Sequence, residues 1–116
     1  MTEIIATTTD LPPIIREHLD AIVALARAYG VERLEVFGSV MTDYFDPARS
    51  DIDFLIQMRN RGPLDDFRRY AALEEALGEV VTFPFDLILF DALNHDSFRE
   101  AAEATRRVIY DAATYP

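Results

Sequence analysis

Two aspartates one residue apart, Asp51 and Asp53, open an apolar stretch, and a Gly38-Ser39 pair precedes them across an eleven-residue spacer. In a strand, positions i and i+2 share a face, which places the two Cα atoms about 6.6 Å apart on one side. Carboxylates so placed can reach a shared pair of divalent cations. A glycine lets backbone approach a bulky anion, and a serine hydroxyl beside amide donors at a helix start can hold phosphate oxygens. Phosphate and carboxylate need a cation between them. As one unit, the stretch therefore reads as a site where Mg²⁺ bridges a nucleoside triphosphate to a carboxylate pair. A Gly-Ser pair or a D-x-D alone is commonplace; it is their order and spacing, between two apolar strands, that carries the reading.

The run GS, spacer, SDIDFLI resembles the signature of the DNA polymerase β-like nucleotidyltransferase superfamily, and the length of 116 residues is similar to that of its minimal nucleotidyltransferase (MNT) members. The resemblance covers roughly residues 12–110. It implies an α/β nucleotidyltransferase fold, a small mixed sheet flanked by helices. It also implies a third aspartate from a later strand, and Asp86 in PFDLILF, leading a run of apolar residues, meets that requirement. Carried over residue by residue, Asp51 and Asp53 would hold two Mg²⁺ ions. Asp86 would hold the catalytic one and help deprotonate the acceptor, and Gly38 and Ser39 would hold the β- and γ-phosphates of ATP. The spacer is one residue longer than is usual, and Val40, Met41, Thr42 and Asp43 stand where an arginine and a glycine are common. Among minimal members the resemblance implies an antitoxin that pairs with a HEPN-domain toxin, an RNase, and silences it by attaching AMP to a toxin tyrosine. The alternative is a catalytically silent nucleotide- or toxin-binding module that neutralises its partner by complex formation.

Composition narrows the partners. A net charge of −10 opposes direct binding of nucleic acid, whose phosphates are bound by neutralising them, and favours metal ions and basic proteins. There is no lysine, so any phosphate clamp must be a guanidinium. Arg49, two residues before Asp51, is the candidate: it either reaches the triphosphate or pairs with Asp51 or Asp53. The absence of cysteine removes disulfides, thiolate metal sites and a cysteine nucleophile. No signal peptide and no run of 18 apolar residues is present, so a soluble cytoplasmic protein without membrane contact is expected. A chain this short suits one domain over 10–116 after a loose segment 1–9, and its acceptor is expected on another chain.

The elements that must position these residues follow from hydrophobic spacing. A first helix is expected from Pro12-Pro13 to Gly30, with Ile15, Leu19, Ile22, Val23, Ala26 and Tyr29 facing the core and His18 solvated. A strand over Leu34–Phe37 should put Leu34 and Val36 on one face, with Glu35 and Phe37 on the other. Residues 40–50 should form a short helical turn and a loop, Tyr44 and Phe45 covering the core edge or stacking on a base. The second strand spans Ile52–Met58, and a second helix Leu64–Leu77, stopped at Gly78, should bury Leu64, Phe67, Ala71 and Leu77, leaving Arg68 and Arg69 in solvent. Val80–Phe83 and Phe85–Phe90 read as a buried strand in two pieces joined at Pro84. A last helix capped by Asn94, Asp96 or Ser97 should run through Ala104, with His95 given no role beyond that region, and Val108-Ile109-Tyr110 should pack the chain's end.

Overall fold

Four apolar segments become strands of one sheet. The computed structural model describes residues 11–42, 45–46, 48–90 and 105–114. In chain order these give α1 (Pro13–Arg16), α2 (Leu19–Ala28), β1 (Val31–Phe37), a 3₁₀ turn (Ser39–Met41), β2 (Ile52–Met58), α3 (Pro63–Val80), β3 (Phe85–Leu89) and β4 (Arg107–Asp111). The expected loose segment 1–9, Tyr44 and the helix with its caps over 94–104 lie outside the described residues.

The sheet order is β3-β2-β1-β4, with β1 antiparallel to both β2 and β4 and β3 parallel to β2. It is the mixed sheet of an α/β domain, and the parallel pair is joined through α3, as parallel neighbours require a long crossover. Alternation decides which side chains meet which layer. Leu34, Val36, Phe54, Ile56 and Leu87 point to the face that carries the buried Ile15, Ile22, Ala26, Leu73 and Leu77 of the helices. Phe37, Leu55 and Ile88 form a smaller cluster on the opposite face. Asp53 and Asp86 belong to that second face, because each is two residues from a member of the cluster.

Several expectations change here. The first helix is broken at Glu17-His18, where the His18 amide bonds back to the Ile15 carbonyl at 3.0 Å in a tighter turn. Ile15 and Ile22 nevertheless stay fully buried on either side of the break. Gly78 does not stop α3. The helix runs on to Val80, and the Val81 amide still bonds the Leu77 carbonyl at 2.7 Å, so Val80–Phe83 contributes a helix end and a loop rather than strand.

α3 is also rotated from the expected face: Leu64 and Phe67 are 62% and 64% exposed, Ala71 is exposed, and Leu73 and Leu77 are buried. Arg69 explains the rotation. Its guanidinium donates to the Tyr29 and Gly30 carbonyls at 2.9 and 2.8 Å and to the Arg59 carbonyl, while Asp65 and Asp66 balance its charge. An arginine expected in solvent thus pins the start of α3 to the turn before β1. Finally, the chain's end is a strand, β4, whose Tyr110 sits opposite Leu34.

Candidate active site

The register brings the aspartates together. Asp53 lies opposite Phe37 on one side and Asp86 on the other, so the β1 residue just before Gly38 and the two carboxylate positions form one row across the sheet. Asp51 precedes β2 by one residue, close enough for its charge to act on Asp53. The Ile52 amide donates to the Pro84 carbonyl at 3.0 Å, which ties the start of β2 to the approach of β3. On the other side of β3, the Tyr70 hydroxyl donates to the Leu87 carbonyl. Burial, then the charges of Glu74 and Asp86, raise the Tyr70 hydroxyl above its ordinary range, so it keeps the proton it donates.

Gly38 closes the site from β1. Its φ of +86° and ψ of −157° lie in a region that is essentially glycine's alone. A Cβ there would stand 2.6 Å from Asp53 Oδ2, so the backbone passes directly against the carboxylate. The chain then turns through Ser39–Met41, with the Met41 amide bonded to the Gly38 carbonyl at 3.0 Å. The Ser39 carbonyl accepts both the Thr42 amide at 2.9 Å and the Thr42 hydroxyl at 2.8 Å. The short helical turn expected within 40–50 begins one residue earlier, at Ser39, which is half-buried.

Like charges crowd the site. Burial, then Asp86, then Asp51 push the Asp53 carboxyl up from 3.8 to about 6. Among the described residues no arginine or histidine forms an ion pair with Asp51, Asp53 or Asp86. Arg49 faces Asp46 instead, at 3.8 Å, with its side chain 87% exposed. Late in the spacer, the Asp46 carbonyl accepts the amides of Arg49 and Ser50 at 2.9 and 2.7 Å. Phe45 packs against Phe83 with ring centres 5.4 Å apart and planes tilted by 42°, and both rings lie against the core edge.

A nucleotidyltransferase domain model matches residues 15–109, most of the chain. The protein belongs to the nucleotidyltransferase family. No curated protein matches it in sequence. Among solved structures, this nucleotidyltransferase is similar to one chain of a doubly substituted MntA–HpeT toxin–antitoxin complex, with 14% identity and a TM-score of 0.60 over 80% of this chain and 73% of that one. A toxin–antitoxin structure with AMP-PNP gives 15% identity and a TM-score of 0.59 over the same shares, 80% and 73%. A third, a tri-AMPylated HEPN toxin of Shewanella oneidensis in complex with an MNT antitoxin, gives 14% identity and 0.51 over 86% and 75%. At these identities the likeness is one of fold.

Whether this nucleotidyltransferase suits a divalent ion is decided by its donor set. Among the described residues no three carboxylate or imidazole groups converge tightly enough to cage a metal. Mg²⁺ does not ask for a cage: it keeps several waters and takes one or two carboxylates together with substrate phosphates. A carboxylate pushed up to about 6 by burial and then by the charges of Asp86 and Asp51, with no ion-paired guanidinium among the described residues, fits such an ion.

Three functional candidates escaped the sequence reading. Thr105 accepts the Gly38 amide at 2.8 Å, and Arg106 forms a two-point pair with Glu35, which is 1% exposed. The only signal in the sequence was an acidic residue inside an apolar strand, Glu35 between Leu34 and Val36.

Proposed function

We propose that this chain is a Mg²⁺-dependent nucleotidyltransferase that transfers AMP from ATP to a tyrosine hydroxyl of a HEPN-domain toxin, acting in the cytoplasm as its antitoxin. The observation that carries the chemistry is the pairing of Asp53 with Asp86, with the Gly38 backbone against Asp53, Asp51 adding its charge and no cation among the described residues to neutralise them. The partner and the acceptor rest on the likeness to MNT–HEPN complexes, one of which holds an AMPylated toxin.

Two Mg²⁺ ions, when bound, would neutralise the phosphates and polarise the reacting phosphorus. Asp51 and Asp53 would hold both ions. Asp86, exposed at the mouth of the row, would hold the ion nearer the acceptor and help draw off the hydroxyl proton. Ser39 would hold phosphate oxygens, and the absent Cβ of Gly38 leaves room for the triphosphate to lie against Asp53. In-line displacement needs the acceptor opposite the leaving pyrophosphate, so the toxin tyrosine would enter on the open side of the row.

The reading is tested by incubating the chain with labelled ATP and Mg²⁺, alone and with a HEPN protein encoded beside it. Label is expected on the HEPN protein only, at tyrosine. Strong labelling of this chain alone would overturn the trans-acting reaction, and tight complex formation with no labelling of either protein would identify a silent binding module.

Arg49 is proposed as the phosphate clamp, since its exposed contact with Asp46 is weak enough to yield to a triphosphate. Arg49→Ala is expected to weaken ATP binding by about three- to tenfold with folding unchanged. Equal affinity in the variant would return Arg49 to Asp46 alone.

A further inference from the structure

Gly38 is held by more than its own strand. Its amide donates to Thr105 Oγ1 at 2.8 Å, a contact spanning 67 residues of sequence. The next residue, Arg106, places Nε 2.6 Å from Glu35 Oε1 and Nη2 2.9 Å from Glu35 Oε2. Arg33 completes the pair, with Nε 2.7 Å from Glu35 Oε2 and Nη1 3.0 Å from Asp111 Oδ2. Burial alone would push the Glu35 carboxyl up, but hydrogen bonds and charge from Arg106 and then Arg33 outweigh it and hold it below its ordinary range. Glu35 therefore stays ionised and fastens the start of β4 to β1, three residues before Gly38. A bidentate guanidinium fixes direction as well as distance, so the backbone at Thr105–Arg106 is aimed at the Gly-Ser turn.

We propose that Thr105 is a positioning residue, its hydroxyl fixed by the neighbouring Glu35–Arg106 pair so that it holds the Gly38-Ser39 turn against the Asp53 carboxylate in the shape that receives a nucleoside triphosphate. This rests on, and deepens, the nucleotidyltransferase reading of the site. With the Gly38 amide already engaged by Thr105, the glycine serves close approach, and phosphate contact falls to Ser39 and the residues after it.

Thr105→Val keeps the shape and removes the acceptor, while Thr105→Ser keeps both the hydroxyl and its reach. Three readings are taken on each: Gly38 amide exchange by NMR in the metal-free protein, affinity for AMP-PNP with Mg²⁺ by calorimetry, and KM and kcat for transfer. Thr105→Val is expected to speed Gly38 exchange, weaken AMP-PNP binding by about five- to tenfold and raise KM for ATP with kcat little changed. Thr105→Ser should restore all three. Arg106→Lys, which keeps the charge and loses the two-point contact, should move the same readings in the same direction and serves if the valine variant fails to fold. A folded Thr105→Val with unchanged Gly38 exchange and unchanged affinity overturns the proposal. A wild-type chain that binds no AMP-PNP would defeat the functional reading and not the anchor, which Gly38 exchange alone would then decide.

Discussion

Asp53→Asn is expected to reduce nucleotidyl transfer by at least about a thousandfold and, at the same time, to make the metal-free protein more stable at neutral pH. The first effect follows from its place in the row: it is the most enclosed of the three carboxylates, with Gly38 on one side and Asp86 on the other. If Asp53 holds metal as proposed, losing its charge forfeits several kcal/mol of transition-state stabilisation, and each 1.36 kcal/mol is tenfold in rate.

The second effect follows from the rise of its carboxyl from 3.8 to about 6. A raised folded-state value means that the fold prefers the protonated form. The stability this contributes is fully present below about 4 and is lost as pH climbs through about 6. The rise sets a ceiling of about 3 kcal/mol, which solvent screening at this half-buried site reduces to about 1–2 kcal/mol. Asparagine carries no charge at any pH. The variant should therefore melt higher than wild type at pH 7 and match it near pH 4. Added Mg²⁺ and ATP should raise the wild-type melting temperature and leave the variant's in place. Full transfer activity in Asp53→Asn would remove Asp53 from the site, and equal melting at pH 7 would show that the carboxylates do not strain the fold.

Much of this site was legible because it is local. Two-residue spacing brings Asp51 and Asp53 to one site from sequence alone, and glycine before serine at the end of an apolar strand announces a turn. Asp86 depended on register. That β3 pairs in parallel with β2, residue 86 beside residue 53, is set by α3 and its docking, and only a family resemblance could supply it in advance. The docking itself hinges on Arg69, whose bonds are to backbone carbonyls at Tyr29, Gly30 and Arg59; carbonyl acceptors leave no trace in side-chain pattern. Helical spacing offered two faces for α3, and the clamp chose the one with Leu73 and Leu77.

β4 was illegible for a different reason. Arg107–Asp111 is five residues with a short apolar centre, and its strand identity comes from β1, more than seventy residues earlier. Gly78 shows propensity overridden. A glycine inside a helix costs about 1 kcal/mol, and continuing to Val80 seats the nearly buried Val81 against the core with one more backbone bond. Thr105 and Arg106 combine both difficulties, being polar, distant in sequence and dependent on a strand the pattern did not reveal.

Gly38→Ala is expected to lose transfer activity by about a hundredfold or more while costing the fold about 2 kcal/mol, and the two losses have separable causes. The stability cost comes from the backbone, since a residue with a Cβ held at φ +86° and ψ −157° pays about 1–3 kcal/mol. Relaxing that strain would move the turn and stretch the 2.8 Å bond from the Gly38 amide to Thr105. The activity cost comes from the new methyl, which would stand 2.6 Å from Asp53 Oδ2, well inside contact distance. Either the carboxylate rotates away from its partners or the turn backs off, and in both cases the space for the triphosphate is lost. A displacement of about 1 Å in a reacting geometry can cost a hundredfold. Gly78→Ala is the matching control, because nothing lies within 4 Å of its added methyl and alanine is the better helix former. It should raise stability by about 0.5–1 kcal/mol and leave transfer untouched. If Gly38→Ala and Gly78→Ala behave alike in both measurements, the turn at Gly38 is an ordinary loop and the carboxylate row does not depend on it.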